Sequence, residues 1–181
     1  MPKLLHILAF AFFSFNVSAQ AFVKYPVQTN NSFDLQEYGW LSKYNTAVIS
    51  MSGNDKEAII SNKEIIEFTK LKFRSVLSKV KVRDYLELWS DDSYKGHIDV
   101  NIHLSMIKYS ESSGIYYGAL TFVAYEMLQG EERSKGDEFM ITFPVANTPY
   151  GLRNDIKDTL STMIEKFAKS KYFIEDISKG L

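Results

Sequence analysis

His97, Asp99, Asn101 and His103 alternate along one short stretch of the chain. Imidazole and carboxylate are the side chains of general acid–base catalysis and of metal ligation, so chemistry is sought here first. Spacing limits it. In an extended strand, six residues at about 3.3 Å each set His97 and His103 roughly 20 Å apart, too far to share an ion. His97 and Asp99 could pinch one with Glu138 completing the set, but zinc ordinarily takes at least three protein ligands at about 2 Å. The plainer reading is a row of solvated strand residues, and neither metal nor other cofactor is expected. The chain has no cysteine, which removes thiolate nucleophiles. It also lacks G-x-S-x-G, H-E-x-x-H, Walker A and G-x-G-x-x-G patterns. No catalytic residue is assigned. The acidic pairs Asp91/Asp92 and Glu131/Glu132 fall in turns, without the enclosure that general acid–base work needs. Tyr109, Tyr116, Tyr117 and Tyr125 offer contact area with a polar tip, which suits a binding surface and suits any strand equally well.

Strands must position these residues. Ile98, Val100, Ile102, Leu104 and Met106 alternate with the polar set, the period-two mark of a strand with one buried and one wet face. A turn over Tyr109–Gly114 leads to a second run, Ile115–Gln129, and a polar turn over Gly130–Gly136 to a third, in which Phe139, Ile141, Phe143 and Val145 share a face. Two successive hairpins make an antiparallel three-stranded meander over 97–145. If Leu104 and Leu120 both face the core, parity sets His103 opposite Thr121, Asp99 opposite Tyr125 and Ile102 opposite Phe122. The same argument in the second hairpin sets Met140 beside Tyr125 and Thr142 beside Val123. The outward face then carries His97, Asp99, Asn101, His103, Tyr117, Thr121, Tyr125 and Met140, the candidate binding residues. Pro144 has no N–H, so the third strand is expected to be an edge to which a partner strand could add. The competing expectation is a wet sheet back, covered in part by an N-terminal arm through Tyr38 and Trp40.

Two helices must cover the other face. Ser61 and Glu64 form an S-x-x-E capping box, with Ile60 and Ile65 placed as a hydrophobic staple. Ile66, Phe73, Val76, Leu77 and Val80 follow at helical spacing, predicting a helix over 61–79. Thr148-Pro149 starts a second helix, predicted over 150–169, whose buried stripe is Leu152, Ile156, Leu160, Met163, Ile164 and Phe167. Tyr172-Phe173-Ile174 is expected to tuck the tail down. Thr46–Met51 reads as a short strand, Val80-Lys81-Val82 as another, and Tyr85–Trp89 as either a strand or a helical turn. The fold class is therefore α+β: a mostly antiparallel sheet of four to five strands with two helices on one face.

At 181 residues, with 45% hydrophobic and 24% charged residues, the chain has ordinary globular composition and room for one core. A net charge of −1 gives no electrostatic case for nucleic acid or an anionic membrane. Residues 1–19 read as a secretory signal peptide: Lys3, the apolar run Leu4–Phe15, then Val17-Ser18-Ala19 before a cleavage point at Gln20. The alternative, a membrane anchor, falls short of the roughly 20 apolar residues a spanning helix needs. Residues 20–181 then form a single α+β domain with an N-terminal arm over 20–44. Without cysteine there is no lipid-modification site at the cleavage point and no disulfide scaffold. The expected product is periplasmic or secreted, with no membrane insertion after cleavage. A glycosylation sequon at Asn30 matters only in a eukaryotic pathway.

The order strand, capped helix, meander, helix resembles small α/β domains of bacterial envelope proteins. Examples are the front domain of the Tol translocation protein and the curli secretion lipoprotein. The segment S-N-K-E-I-I-E-F-T-K-L-K-F-R-S-V-L, from Ser61, is similar to a helix of an uncharacterised secreted bacterial α/β domain family. G-L-R-N-D-I-K-D-T-L-S-T-M-I-E-K-F, from Gly151, is similar to the closing helix of that family. Phe73-Arg74 stands where the pattern has L-R, and the tail departs after Phe167. The resemblance implies an envelope α/β domain and carries over no active-site residue. The expected function is a non-enzymatic periplasmic binding or assembly-accessory role, with another envelope protein held by the open sheet face or the edge near Pro144. The alternative is an envelope-directed hydrolase built on His97, Asp99 and loop carboxylates of the same face.

Overall fold

A computed structural model describes residues 22–24, 32–53, 59–91, 93–108, 114–129 and 138–180. The leader with its cleavage point, and the central residues of both meander turns, lie outside the described residues. Strand β1 (Phe22–Lys24) is followed by helices α1 (Ser32–Tyr38) and α2 (Trp40–Lys43), then β2 (Thr46–Gly53) and α3 (Asn62–Val76). Next come β3 (Lys81–Val82), α4 (Tyr85–Trp89), the meander β4 (Gly96–Lys108), β5 (Tyr116–Leu128) and β6 (Phe139–Asn147), and α5 (Pro149–Lys179).

The described strands form one sheet in the order β1-β6-β5-β4-β2-β3. The α+β class and the mostly antiparallel sheet hold, since β1–β6, β6–β5 and β5–β4 are antiparallel while β2 pairs parallel with both β4 and β3. The described sheet has six strands where four to five are expected: β3 is the short strand read at Val80-Lys81-Val82, and the added one is β1, too short to carry a period-two signal. The first hairpin has the expected register, with His103 opposite Thr121, Asp99 opposite Tyr125 and Ile102 opposite Phe122. The second has the expected parity but slips by two residues: Met140 lies opposite Val123 and Thr142 opposite Thr121. A two-residue slip keeps every side chain on its face, so the hydrophobic pattern cannot detect it. Gly118 leaves no room for a side chain in the first hairpin, where a Cβ would lie 1.8 Å from the Ser105 carbonyl oxygen.

One face of the sheet carries the main core. Ile98, Val100 and Ile102 of β4, Leu120 and Phe122 of β5, and Phe139 and Ile141 of β6 meet Ile65 and Phe73 of α3 and the α5 stripe. Four phenylalanines interlock there: Phe167 lies 5.0 Å from Phe139, 5.5 Å from Phe122 and 5.8 Å from Phe73 between ring centroids. Tyr38, Trp40 and Leu41 are buried in the same cluster, and α1 and α2 pack against α5. This part of the arm lies on the helix side, not across the sheet back as the competing expectation had it.

Helix α3 starts at Ser61, whose hydroxyl accepts from the Glu64 N–H at 3.2 Å. The reciprocal half of the box is not formed among the described residues. Glu64 instead takes a forked bond from Arg153, at 2.9 and 2.6 Å, and pairs with Lys157 at 2.6 Å, tying α3 to α5. These two cations, Lys157 first, hold the Glu64 carboxyl below its ordinary value. Ser61→Ala should cost about 0.5–2 kcal/mol in urea denaturation, because one cap bond is lost and the Glu64 pairs survive. Helix α3 ends at Val76, shorter than expected, with Leu77 as its C-cap. Helix α5 continues to Lys179, past the expected end at 169, because no proline or glycine lies between Gly151 and Gly180 and Ile174 extends the buried stripe.

Tucked beneath that extension is a buried cation. Lys171, 0% exposed, donates to the carbonyls of Leu41 at 2.5 Å and Tyr44 at 3.0 Å, and pairs with Glu175 at 2.7 Å. It satisfies carbonyls where α2 ends, and so fastens the arm to α5.

Candidate functional site

The second face of the sheet divides into two halves. Helix α4 covers one of them. Tyr85 and Leu88 lie three residues apart and turn inward, with Leu88 and Tyr94 burying Val48 of β2. Under this cover His97 and Asp99 are 2% and 1% exposed. They are not the solvated strand residues expected from alternation alone. The Tyr85 hydroxyl donates to Asp99 Oδ2, and the Tyr94 hydroxyl bonds His97 Nδ1. His97 Nε2 approaches Asp99 Oδ2 at 3.6 Å. Tyr125 stands opposite Asp99 in the ladder.

Each tyrosine responds to that setting. Burial first, then the neighbouring Asp99, drives the Tyr85, Tyr94 and Tyr125 hydroxyls above their ordinary value of 10.0. They therefore stay neutral at any physiological pH, and Tyr85 keeps the proton it donates to Asp99. The network is incomplete: His97 Nε2 and Asp99 Oδ1 are buried without a hydrogen bond among the described residues. An orphaned buried polar atom costs about 1–3 kcal/mol, so this cluster is held in place by the helix packed over it.

The other half of the face is open and laced by short polar bonds. Asn101 donates to Ser50 Oγ and accepts from Ser52 Oγ, both at 3.0 Å, and Ser52 Oγ lies 3.1 Å from His103 Nδ1. Thr121 and Thr142 hydroxyls meet at 3.0 Å across β5 and β6. Tyr117 is 45% exposed, opposite Ala146, and Met140 lies half-buried on the far strand. The eight residues read from sequence thus share a face but not an environment. His97, Asp99 and Tyr125 are drawn into the covered cluster. Asn101, His103, Tyr117, Thr121 and Met140 stay on the open half.

No family model matches the chain, nor does any curated protein sequence. Among solved structures, a PelC dodecamer from Paraburkholderia phytofirmans is similar at a TM-score of 0.49 and 10% identity, over 82% of this chain and 98% of that one. A neuraminyllactose-binding hemagglutinin homolog from Helicobacter pylori is similar at 0.46 and 12%, over 87% and 97%. A minor lipoprotein from Acinetobacter baumannii is similar at 0.42 and 9%, over 71% and 92%. These are bacterial envelope-type α/β proteins, and the likeness is one of general arrangement.

Sequence reading missed the cover itself. Tyr85 and Tyr94 complete the His97–Asp99 cluster, and the outward pair of α4, Leu86 and Trp89, is 79% and 75% exposed. Five residues are too few for a helical period, but Tyr85/Leu88 and Leu86/Trp89 both stand at i, i+3 spacing, on two adjoining helix faces. The edge at Pro144 is also changed. Residues 22–24 of the same chain pair with 140–142 of β6 and occupy part of the position left for a partner strand. Among the described residues no helix is long and apolar enough to cross a membrane.

Proposed function

We propose that this is a non-enzymatic binding or assembly-accessory protein of the bacterial envelope, which grips a protein partner through α4 and the open half-face beside it. One observation carries the reading. Leu86 and Trp89 project into solvent from a helix whose inner side is pinned to the sheet by Tyr85, Leu88 and Asp99. Exposed tryptophan and leucine on a seated helix are apolar anchors held ready, and Tyr85 lies 6.1 Å from Trp89 between ring centroids, supporting its indole. Asn101, His103, Thr121, Tyr117 and Met140 then serve as the polar rim, while His97, Asp99 and Tyr125 seat the helix. The leader pattern of residues 1–19 supports action outside the cytoplasm. The hydrolase reading gains nothing here, since a substrate has no path to His97 or Asp99 while α4 covers them.

A photo-crosslinking residue at position 86, in the cell of origin, should yield one dominant protein adduct. Position 71 is the control, because Leu71 is 62% exposed on α3. The purified adduct partner should then bind the Leu86→Ser/Trp89→Ser protein at least about thirtyfold more weakly than wild type, the loss of one anchor residue. Equal labelling at both positions, or unchanged affinity, would refute the reading.

A further inference from the structure

Where β2, β3 and β4 begin, an open hollow of about 330 Å³ is lined by Lys79, Lys81, Arg83 and Lys95 with Asn45 and Thr46. The chain as a whole carries a net charge of −1, so this concentration of cations is local. Backbone pairing creates it. Thr46 stands beside Lys81 in the parallel β2–β3 ladder, and the N–H groups of Lys81 and Arg83 donate to the Asn45 and Ala47 carbonyls at 2.8 and 3.0 Å. Alternate residues of β3 therefore point off the same face.

A single carboxylate, Asp91, joins the lining. It is already engaged, by Arg83 Nη1 at 3.1 Å and by the Ser93 N–H and hydroxyl at 3.1 and 2.5 Å. That bond orients the Arg83 fork and uses one of its nitrogens. Lys79, Lys81 and Lys95 make no ion pair among the described residues. Lys79 also lies near enough to Lys171 to help lower that ammonium's pKa, behind the effect of burial. Lys171 itself is balanced by Glu175 at 2.7 Å and lies outside the hollow, so among the described residues the unpaired positive charge is that of the three lysines in its lining.

We infer that this hollow is a binding site for a phosphate-class oxyanion. Lysine ammonium groups are mobile point charges that suit a tetrahedral anion, and an oriented arginine supplies planar donors beside them. A phosphate ester with about −1.5 to −2 charge at neutral pH matches the free cations better than a lone carboxylate would. The volume sits at the small end of ligand pockets, about 300–1,000 Å³, so one headgroup fits and a packed polymer does not. Free phosphate esters and the headgroups of anionic lipids share the tetrahedral oxyanion, the lipid phosphodiester with a single negative charge. The inference does not depend on the α4 surface.

Calorimetric titration with inorganic phosphate and with glycerol phosphate, and flotation with phosphatidylglycerol-containing against pure phosphatidylcholine vesicles, test it. The Lys79→Ala/Lys81→Ala/Lys95→Ala protein should lose at least about tenfold in affinity, equivalent to one charge-assisted hydrogen bond. Lys63→Ala/Lys169→Ala removes two cations from the helices and should change nothing. Tight binding of the soluble phosphates identifies a small-molecule site. Binding of phosphatidylglycerol vesicles alone, with the same lysine dependence, identifies a lipid headgroup. Should the triple variant fail to fold, Lys95→Ala alone must still weaken binding. No binding of any probe, or equal loss in the control variant, overturns the site.

Discussion

Lys171→Met should lower the folding free energy by about 3–5 kcal/mol, the usual cost of removing one member of a buried ionic cluster. Methionine keeps an unbranched side chain one heavy atom shorter than lysine, so little of the loss is one of packing. It comes from the Leu41 and Tyr44 carbonyls and the Glu175 carboxylate, which lose their cation together. The pH dependence separates this from a general weakening. Burial holds the Lys171 ammonium below its ordinary 10.5, with Glu175 opposing and Lys79 adding to the effect. Between that lowered value and 10.5 the unfolded chain binds the proton more tightly than the folded one, so wild-type stability gains a rising contribution with pH. The variant lacks it. The gap between the two proteins in urea denaturation should therefore widen as pH climbs through that window. Tyr44, whose hydroxyl is pushed up to about 12 by burial and by Glu126, contributes an opposite slope above 10. That slope is common to both proteins and cancels in the difference. A gap that stays constant across the window would contradict the assignment.

Phe167→Ala should cost a similar amount, about 3–5 kcal/mol. The ring is fully buried and touches three other phenylalanines drawn from α3, β5 and β6. No single neighbour can move into the space without breaking its contacts with the others, so the cavity stays open. Phe143→Ala makes a useful comparison. Phe143 lies on the same sheet face but is only partly buried at the margin of the cluster. Its replacement should cost clearly less in chemical denaturation, with an unchanged denaturant slope in both variants. Equal losses would mean that the cluster does not act as the centre of the core.

Much of this architecture is legible in the chain because it rests on periodicity. Ile98–Met106 against Phe139–Val145 fixes which faces are buried, and the α5 stripe from Leu152 to Phe167 is read directly. What stays hidden has no period to show. β1 exists only because the longer β6 lies beside it. Lys171 falls at a position a stripe would give to an apolar residue, and its charge hides the fact that it is buried. His97 and Asp99 illustrate the deepest limit. Alternation assigns them correctly to the outer face, but whether that face is wet depends on a five-residue helix arriving from elsewhere. Tyr85 and Tyr94 could have signalled it, as two tyrosines flanking an acidic loop just before a strand that carries two buried polar groups.

The sheet ends in its two shortest members, β1 with three residues and β3 with two. The long strands β4 and β5 are interior, and the outer side of β6 is met by β1 over 140–142. Next along that side is Pro144, whose ring supplies no N–H and is tolerated only where the ladder does not need one. The backbone that a second molecule could copy in register is therefore short at one border and interrupted at the other. Exposed borders of long strands are the usual templates for amyloid-like stacking, and brief or proline-broken ones are the usual defence. A protein with this arrangement can crowd against its own copies at high concentration without its sheets fusing into fibrils.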